Sequence, residues 1–549
     1  MIPPPGLGNT VWQLAWGRVD ALPEIWQQEP GLAIAPSAAT AISPSRRFVV
    51  VGEAWLPLVG DAISLEFVAQ RWERVGAKTW EELVGAFALA VWDRERQVLT
   101  LGRDRSGCKT LYYTENGATG WVSNQLRALR PYCSNQIDLI ALRDYLTCAF
   151  VPGDRTLWQD VREVRPGTTV QLPEQTVTAY WTLQENVLDA DQPLSWYGDR
   201  LRSLLSQVVQ ESLPEHEPVG VFLSGGLDSS CVTALAAKLH PSPVHTYSIH
   251  FGKDLPNELE FSNLVAQHCR TQHHILEIPF KTMWNALPET MAALDDPIGD
   301  PLTVPNLLLG RLAKESVAIV LNGEGGDPCF GGPKNQPMLI NSVYHAITQQ
   351  DPLQAFLISF QKCATDLPNL LQPEVWHAVQ AEPSVFAADL YSNQRYLNRL
   401  MALNIKFKGA DQILTKVNNL TRAAGIEARS PLFDQRIVEL SMQIPPEYKL
   451  SGTQEKAVLK QAVADLLPDA IIHRPKSGMM VPVQLGFREH WQRQAKALLL
   501  SRKAEIAPYL NQALIRDWLN YRGDTWNRYG VKLWLLVSLE YWLQSHRSN

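Results

Sequence analysis

The stretch Pro218–Ala234, PVGVFLSGGLDSSCVTA, constrains this 549-residue chain more than any other. Val219 to Leu223 is a short apolar run that reads as a buried strand. Ser224, Gly225 and Gly226 break the run, and Leu227 to Leu239 has the spacing of an amphipathic helix. Strand, glycine turn and helix start together form an anion site. The glycines let backbone N–H groups approach phosphate oxygens, and the new helix turns its positive dipole end toward them. Ser224, Ser229 and Ser230 add hydroxyl donors, and Asp228 places a carboxylate where a phosphate-bound Mg2+ would sit. A lone Ser-Gly-Gly would read as an ordinary capped turn. The full SGGLDSS behind an apolar strand points to nucleotide binding.

A Walker A loop needs GxxxxGK[ST], and no lysine follows these glycines. SGGLDSS instead resembles the pyrophosphate loop of synthetases that cleave ATP between its α- and β-phosphates. The resemblance implies carboxylate activation as an adenylate, with pyrophosphate leaving into the loop.

A chain this long is expected to divide into two or three domains. Its formal charge of -6 gives no electrostatic reason to expect nucleic acid as a partner. No apolar run reaches the roughly 18–20 residues of a membrane helix. MIPPPGLGNT lacks the basic and apolar regions of a signal peptide. The seven cysteines are odd in number, scattered and without a CxxC pair, so they read as reduced thiols of a cytoplasmic protein.

The first domain is expected over about residues 1–185. Short β-like segments, Val11–Val19, Leu32–Ala35 and Arg47–Trp55, precede a helical pattern at Leu65–Val75. Two hairpins follow, around Asp93-Arg94-Glu95-Arg96 and around Asn116-Gly117, then a helix from Leu139 to Phe150. The class is α+β with much antiparallel sheet. FALAVWDRERQVLTLGRDRSGCKTLYYT is similar to the amidotransferase domain of glutamine-dependent asparagine synthetases, which implies an N-terminal-nucleophile, αββα sandwich fold. In that family the nucleophile is the cysteine directly after the initiator Met. Here position 2 is Ile2 and the first cysteine is Cys108. The family's glutamine-binding Asn-Gly-Glu has become Val51-Gly52-Glu53. The expectation is a scaffold or recognition surface that does not hydrolyse glutamine.

The second domain is expected over residues 190–549, after a linker at Gln184–Pro193. Apolar strands at Val219–Leu223, Val244–Phe251 and Val317–Leu321 alternate with helices, which implies a parallel sheet covered on both faces. Ligands in such sheets sit at the carboxyl ends of the strands. Asn322-Gly323-Glu324-Gly325-Gly326-Asp327 resembles the SGEGGD segment of the synthetase family. Three further segments match that family in order. They are Leu294–Pro305, with Asp295, Asp296 and Asp300 as candidate ligands; Glu427–Asp434; and Lys456 with His473–Gly478. Val531–Leu543 matches its closing helix and reads as core packing.

The resemblance as a whole is to the asparagine synthetase family, with an adenine-nucleotide α-hydrolase-like second domain that ends in a helical part. It implies ATP and Mg2+ as cofactors. Ser224, Gly225, Gly226, Asp228, Ser229 and Ser230 would hold pyrophosphate, and Asp228 and Asp327 the metal. Adenine would lie against Phe222, Ile249 and the Asn322-Gly323 backbone. Lys476 would assist adenylation, Glu324 would accept a proton from the attacking amine, and Asp327 would hold an ammonium or metal-linked group. Pro328 and Pro333 replace the family's usual Glu and Tyr and put aspartate as the substrate in question. The carboxylate is therefore open, a small molecule or a peptide, and so is the amine or ammonia donor. A lasso-peptide cyclase or β-lactam-synthetase-like enzyme is the alternative, and an ATP-binding regulatory protein without turnover is the reading from another class. A homodimer and a partner protein both stay open.

Overall fold

The computed structural model describes residues 11–19, 26–57, 64–187, 192–332, 351–451, 454–474, 480–522 and 528–547. Two six-stranded antiparallel sheets occupy the first part. One has the order Val161–Glu163, Tyr112–Asn116, Thr119–Ser123, Gln13–Gly17, Leu32–Ile34, Gln27–Glu29. The other runs Thr176–Ala179, Thr168–Leu172, Val98–Arg103, Ala86–Asp93, Phe48–Trp55, Thr40–Ile42.

Alternation decides how these sheets stack, because every second side chain on a strand faces the same side. Ala88, Ala90 and Trp92 join Val49, Val51, Leu14 and Trp16 in a core between the two sheets. Their neighbours Phe87, Leu89 and Val91 pack the other way, onto Val68 and Trp72 of the helix Ser64–Val75. On the far side of the first sheet, Ala15, Ala33, Tyr112 and Trp121 share a core with the helices Leu139–Cys148 and Tyr529–His546. The layers are helix, sheet, sheet, helix, the αββα sandwich expected.

The second part is built on five parallel strands in the order Gln272–Glu277, Val244–His250, Val219–Phe222, Ile319–Leu321, Glu427–Arg429. Val219, Val221 and Leu321 face the helices Leu194–Ser212 and Leu227–Leu239. Tyr247, Ile249 and Val320 face the opposite layer, with Phe280–Ala293 and Thr303–Lys314. A sheet so covered must be apolar on both faces, which is why its central strands read as continuous hydrophobic runs.

The two parts are fastened by buried polar groups. Asp295 Oδ1 accepts a hydrogen bond from Leu126 N at 3.0 Å, and Asp296 Oδ1 one from Leu157 N at 2.9 Å. Asp411 accepts from Gly153 N at 2.9 Å and from Arg165 at 2.7 Å. The Tyr145 hydroxyl donates to the Leu535 carbonyl at 2.9 Å. Burial pushes the carboxyls of Asp295 and Asp296 upward. These two residues had been expected as ligands. They belong to the joint instead, where they satisfy backbone N–H groups that would otherwise be buried without a partner.

Candidate active site

The carboxyl ends of the parallel strands open onto a cavity of about 310 Å³. Its floor is the turn after Val219–Phe222. Gly225 has a φ of +77°, and a Cβ there would lie 2.6 Å from Ser262 N, so the turn admits only glycine. Ser224 N donates to Ser229 Oγ at 3.2 Å, the two hydroxyls are 3.1 Å apart, and Gly226 N donates to Ser224 Oγ at 3.3 Å. The helix Leu227–Leu239 starts directly behind, with no side chain capping it. Its first N–H groups and dipole are left for an anion. Arg474 steadies the turn from behind: Nη1 donates to the Gly225 carbonyl at 3.1 Å, and the guanidinium pairs with Glu258 and covers the Phe261 ring.

Asp228 projects from the first turn of this helix toward the loop after Ile319–Leu321. A Cβ on Gly326 would come within 2.2 Å of the Asp228 carboxyl carbon, so glycine is what lets the carboxylate in. Lys456 lies between the two loops. Its Nζ is 2.8 and 2.6 Å from the Asp228 oxygens and 2.5 Å from Asp327 Oδ1. Asn322 sets the second loop: its N and Nδ2 both donate to the Arg429 carbonyl, and its Oδ1 accepts from Glu324 N at 3.1 Å.

The opposite wall is a π-helical stretch, Asn404–Leu414, that runs on into the helix Thr415–Ala424. Asn404, Lys408, Gln412 and Lys416 line the cavity from it at four-residue intervals. Such widened helical turns recur at functional sites. Lys416 Nζ donates to Asp300 at 2.7 Å. Burial alone would raise the Asp300 carboxyl, but the ammonium beside it holds the group below the usual carboxylate range. Burial lowers Lys416 in turn, and Asp300 and then Glu324 outweigh it and raise the amine.

Of the residues expected at the site, Phe222, Ser224, Gly226, Asp228, Ser229, Ile249, Asn322, Gly323, Glu324 and Asp327 line this one cavity, together with Asp300 and Pro328. Gly225 shapes the turn from just outside the lining. Ser230 does not reach the cavity: it is fully buried, and its hydroxyl has no hydrogen-bond partner among the described residues. Lys476 and Pro333 lie outside the described residues. The polar ladder at 404, 408, 412 and 416 is not legible in the sequence, because Lys406, Asp411 and Thr415 interleave with it and blur its period of four.

Among the described residues no group of three or more His, Cys, Asp or Glu side chains could hold a metal. Asp228 and Asp327 together supply hard carboxylate oxygens. That set fits Mg2+, which takes one or two carboxylates and fills its remaining positions with phosphate oxygens and water.

In the first part, Glu53 is engaged within the chain. Its Oε1 accepts from Asn124 Nδ2 at 2.7 Å, and its Oε2 pairs with Lys109 Nζ at 3.1 Å. Burial, and then the nearby carboxylates of Asp104 and Asp434, push the Cys108 thiol well above its ordinary value. Burial also raises Cys133 and Cys148.

A strand–loop–helix turn at the head of a parallel sheet, with two carboxylates beside it, is an arrangement suited to a phosphate-bearing ligand. The family model described as "Asparagine synthase" matches residues 200–544, and that described as "Glutamine amidotransferase domain" matches residues 62–181. This chain belongs to the asparagine synthase family and is an ATP-dependent, amide-forming ligase. It is 26% identical to asparagine synthetase [glutamine-hydrolyzing] 1 of Bacillus subtilis (strain 168) over 75% of this chain and 69% of that one. It is 28% identical to asparagine synthetase [glutamine-hydrolyzing] 3 of the same organism, over 72% and 68%. Among solved structures, the glutamine phosphoribosylpyrophosphate amidotransferase of B. subtilis aligns at 12% identity over 50% of this chain and 86% of that chain. The TM-score of that alignment is 0.24.

Proposed function

We propose that the chain activates a carboxylate as an acyl-adenylate, releases pyrophosphate and passes the acyl group to an amine or ammonia that it does not obtain by hydrolysing glutamine itself. The observation that carries this is the meeting of Ser224, Gly226, Ser229, Asp228, Asp327 and Glu324 around one cavity, with Lys456 buried against the two aspartates.

In this mechanism the serine hydroxyls and the helix N-terminus bind the departing pyrophosphate, whose charge the dipole and Lys456 offset. Asp228 and Asp327 would hold Mg2+, which when bound neutralises phosphate charge. Lys456 keeps these two carboxylates together beforehand. Glu324, oriented through its own N–H by Asn322, accepts the proton that the amine loses as it attacks the acyl carbon and AMP leaves. Lys408, Gln412 and the Lys416–Asp300 pair form the wall against which the carboxylate substrate is positioned.

The thiols of the first part count against glutaminase chemistry. A nucleophilic cysteine needs a depressed pKa, and burial raises all three in the first part. Glu53, the remnant of a glutamine-binding segment, already holds Lys109 and Asn124.

The test is ATP–pyrophosphate exchange and AMP release with aspartate plus ammonium, then with aspartate plus glutamine, with products read by mass spectrometry. Asparagine from ammonium but not from glutamine supports the proposal in full. Glutamate release above background that a thiol reagent abolishes overturns the second half. Exchange with aspartate that persists after Asp228→Ala overturns the site. A lack of exchange with aspartate, but exchange with a peptide carboxylate, moves the substrate to that class.

A further inference from the structure

Lys449 is fully buried, yet no carboxylate forms an ion pair with it among the described residues. Its Nζ donates to Asn398 Oδ1 and to the Ser441 carbonyl, each at 2.6 Å. A buried lysine is costly, and one held by two neutral oxygens is kept for something other than charge pairing.

Its surroundings indicate what. On one side, Asn398 Nδ2 donates to Glu185 Oε1 at 2.5 Å, and Glu185 Oε2 accepts from Arg395 N at 2.7 Å. Glu185 lies in the extended segment that leads from the antiparallel part of the chain to the parallel part. On the other side, the Lys449 carbonyl accepts from Lys456 N at 2.6 Å, across a small hairpin that pairs Leu450 with Glu455 and Ser451 with Gln454. Lys456 leaves that hairpin with a φ of +55°, a left-handed conformation that a lysine holds only when its surroundings fix it. The same Lys449 carbonyl lies 3.1 Å from where a Cβ on Gly331 would be, so it also abuts the loop that carries Asp327.

We infer that Lys449 is a positioning residue for the ligase reaction: its amine anchors the hairpin that delivers Lys456 to Asp228 and Asp327, and ties that hairpin through Asn398 to Glu185. The inference rests on the assignment of the cavity as the adenylation site. A neutral amine has two N–H donors, matching the two oxygens that face it, and a protonated amine has a third. Burial pushes Lys449 down to about 7; the Cys329 thiol, Glu185 and Glu447 act to raise it and Arg395 to lower it. The anchor therefore changes protonation in the neutral range.

The experiment is calorimetric titration of the full chain with magnesium pyrophosphate, which needs no knowledge of the carboxylate substrate, at pH values on either side of about 7. Lys449→Met weakens binding by roughly tenfold or more. Its ratio to wild type varies with pH, because only the wild type carries the titrating anchor. Glu185→Gln removes the negative charge at the far end of the relay without opening the core. It is expected to weaken binding by a few-fold and to move the inflection to lower pH. Wild-type binding, with a variant-to-wild-type ratio of one or a ratio constant across pH for both variants, overturns the positioning role. No wild-type binding at any pH instead overturns the assignment of the cavity.

Discussion

Replacing Lys456 by methionine removes one ammonium and leaves two carboxylates facing each other across the cavity floor. The Lys456 side chain is 2% exposed, that of Asp228 12% and that of Asp327 33%. Breaking a buried ion pair from one side costs about 3–5 kcal/mol, because the remaining charge keeps its desolvation cost with nothing to offset it. Asp228 falls in that range. Asp327, a third open to water, is screened and adds about 1 kcal/mol or less. A loss of about 4 kcal/mol is therefore expected in urea unfolding of the transition that contains the parallel sheet. Lys456→Met combined with Asp228→Asn recovers about 2–3 kcal/mol, since an amide needs no counter-charge, but does not recover pyrophosphate binding. The reasoning is refuted if Lys456→Met unfolds within about 1 kcal/mol of wild type at neutral pH. It is refuted equally if the double variant is as unstable as the single one.

Three more expectations concern the same cavity. Glu324→Gln keeps ATP–pyrophosphate exchange but slows amide formation by about 10²–10⁴-fold, measured by single-turnover kinetics; equal loss of both steps would contradict its role in amine attack. Gly225→Ala forces a side chain into the left-handed region and against Ser262. It costs about 1–3 kcal/mol in urea unfolding and removes pyrophosphate binding in calorimetry. The Lys416–Asp300 pair has a depressed carboxyl in the folded state. Its contribution is present above the ordinary carboxylate pKa of about 3.9 and is lost as the pH falls through the lower folded value. Lys416→Met should flatten that part of the acid unfolding profile, and an unchanged profile would show that the pair adds nothing.

The fold was legible where period and turn chemistry agreed. The Asp93–Val98 hairpin closes around the expected Arg-Glu-Arg turn, and the helix Leu227–Leu239 has the expected bounds but not the expected amphipathic character, since every residue from Leu227 to Ala236 is buried between the sheet and its neighbours. Two edge strands of the parallel sheet were not read. Gln272–Glu277 begins Gln-His-His, and Glu427–Arg429 is three residues with a charge at each end. Edge positions tolerate polar side chains that a central strand cannot. At the cavity, motifs located the two glycine loops because each has a local reason for its composition. Lys456 was visible only as part of a resemblance, since its partners stand 228 and 129 positions away in the sequence. Asp295 and Asp296 looked like ligands for the opposite reason: acidic residues beside prolines suggest a binding loop, and nothing nearby in sequence announces that their partners are the backbone of Leu126 and Leu157.

The core shared by the first antiparallel sheet and the helix Tyr529–His546 bears on how such a chain is made. During synthesis the sheet carrying Ala15, Tyr112 and Trp121 and the helix Leu139–Cys148 emerge long before Tyr529–His546, so the part of their core that Leu535 and Trp542 complete, at Tyr145 and Trp158, waits as exposed apolar surface. An early stop would leave that surface bare, and truncated chains should be removed by quality control rather than accumulate as a free first domain. The same dependence applies to any shortened chain. The first part cannot be removed without cost to the second, which would lose one wall of its own interior.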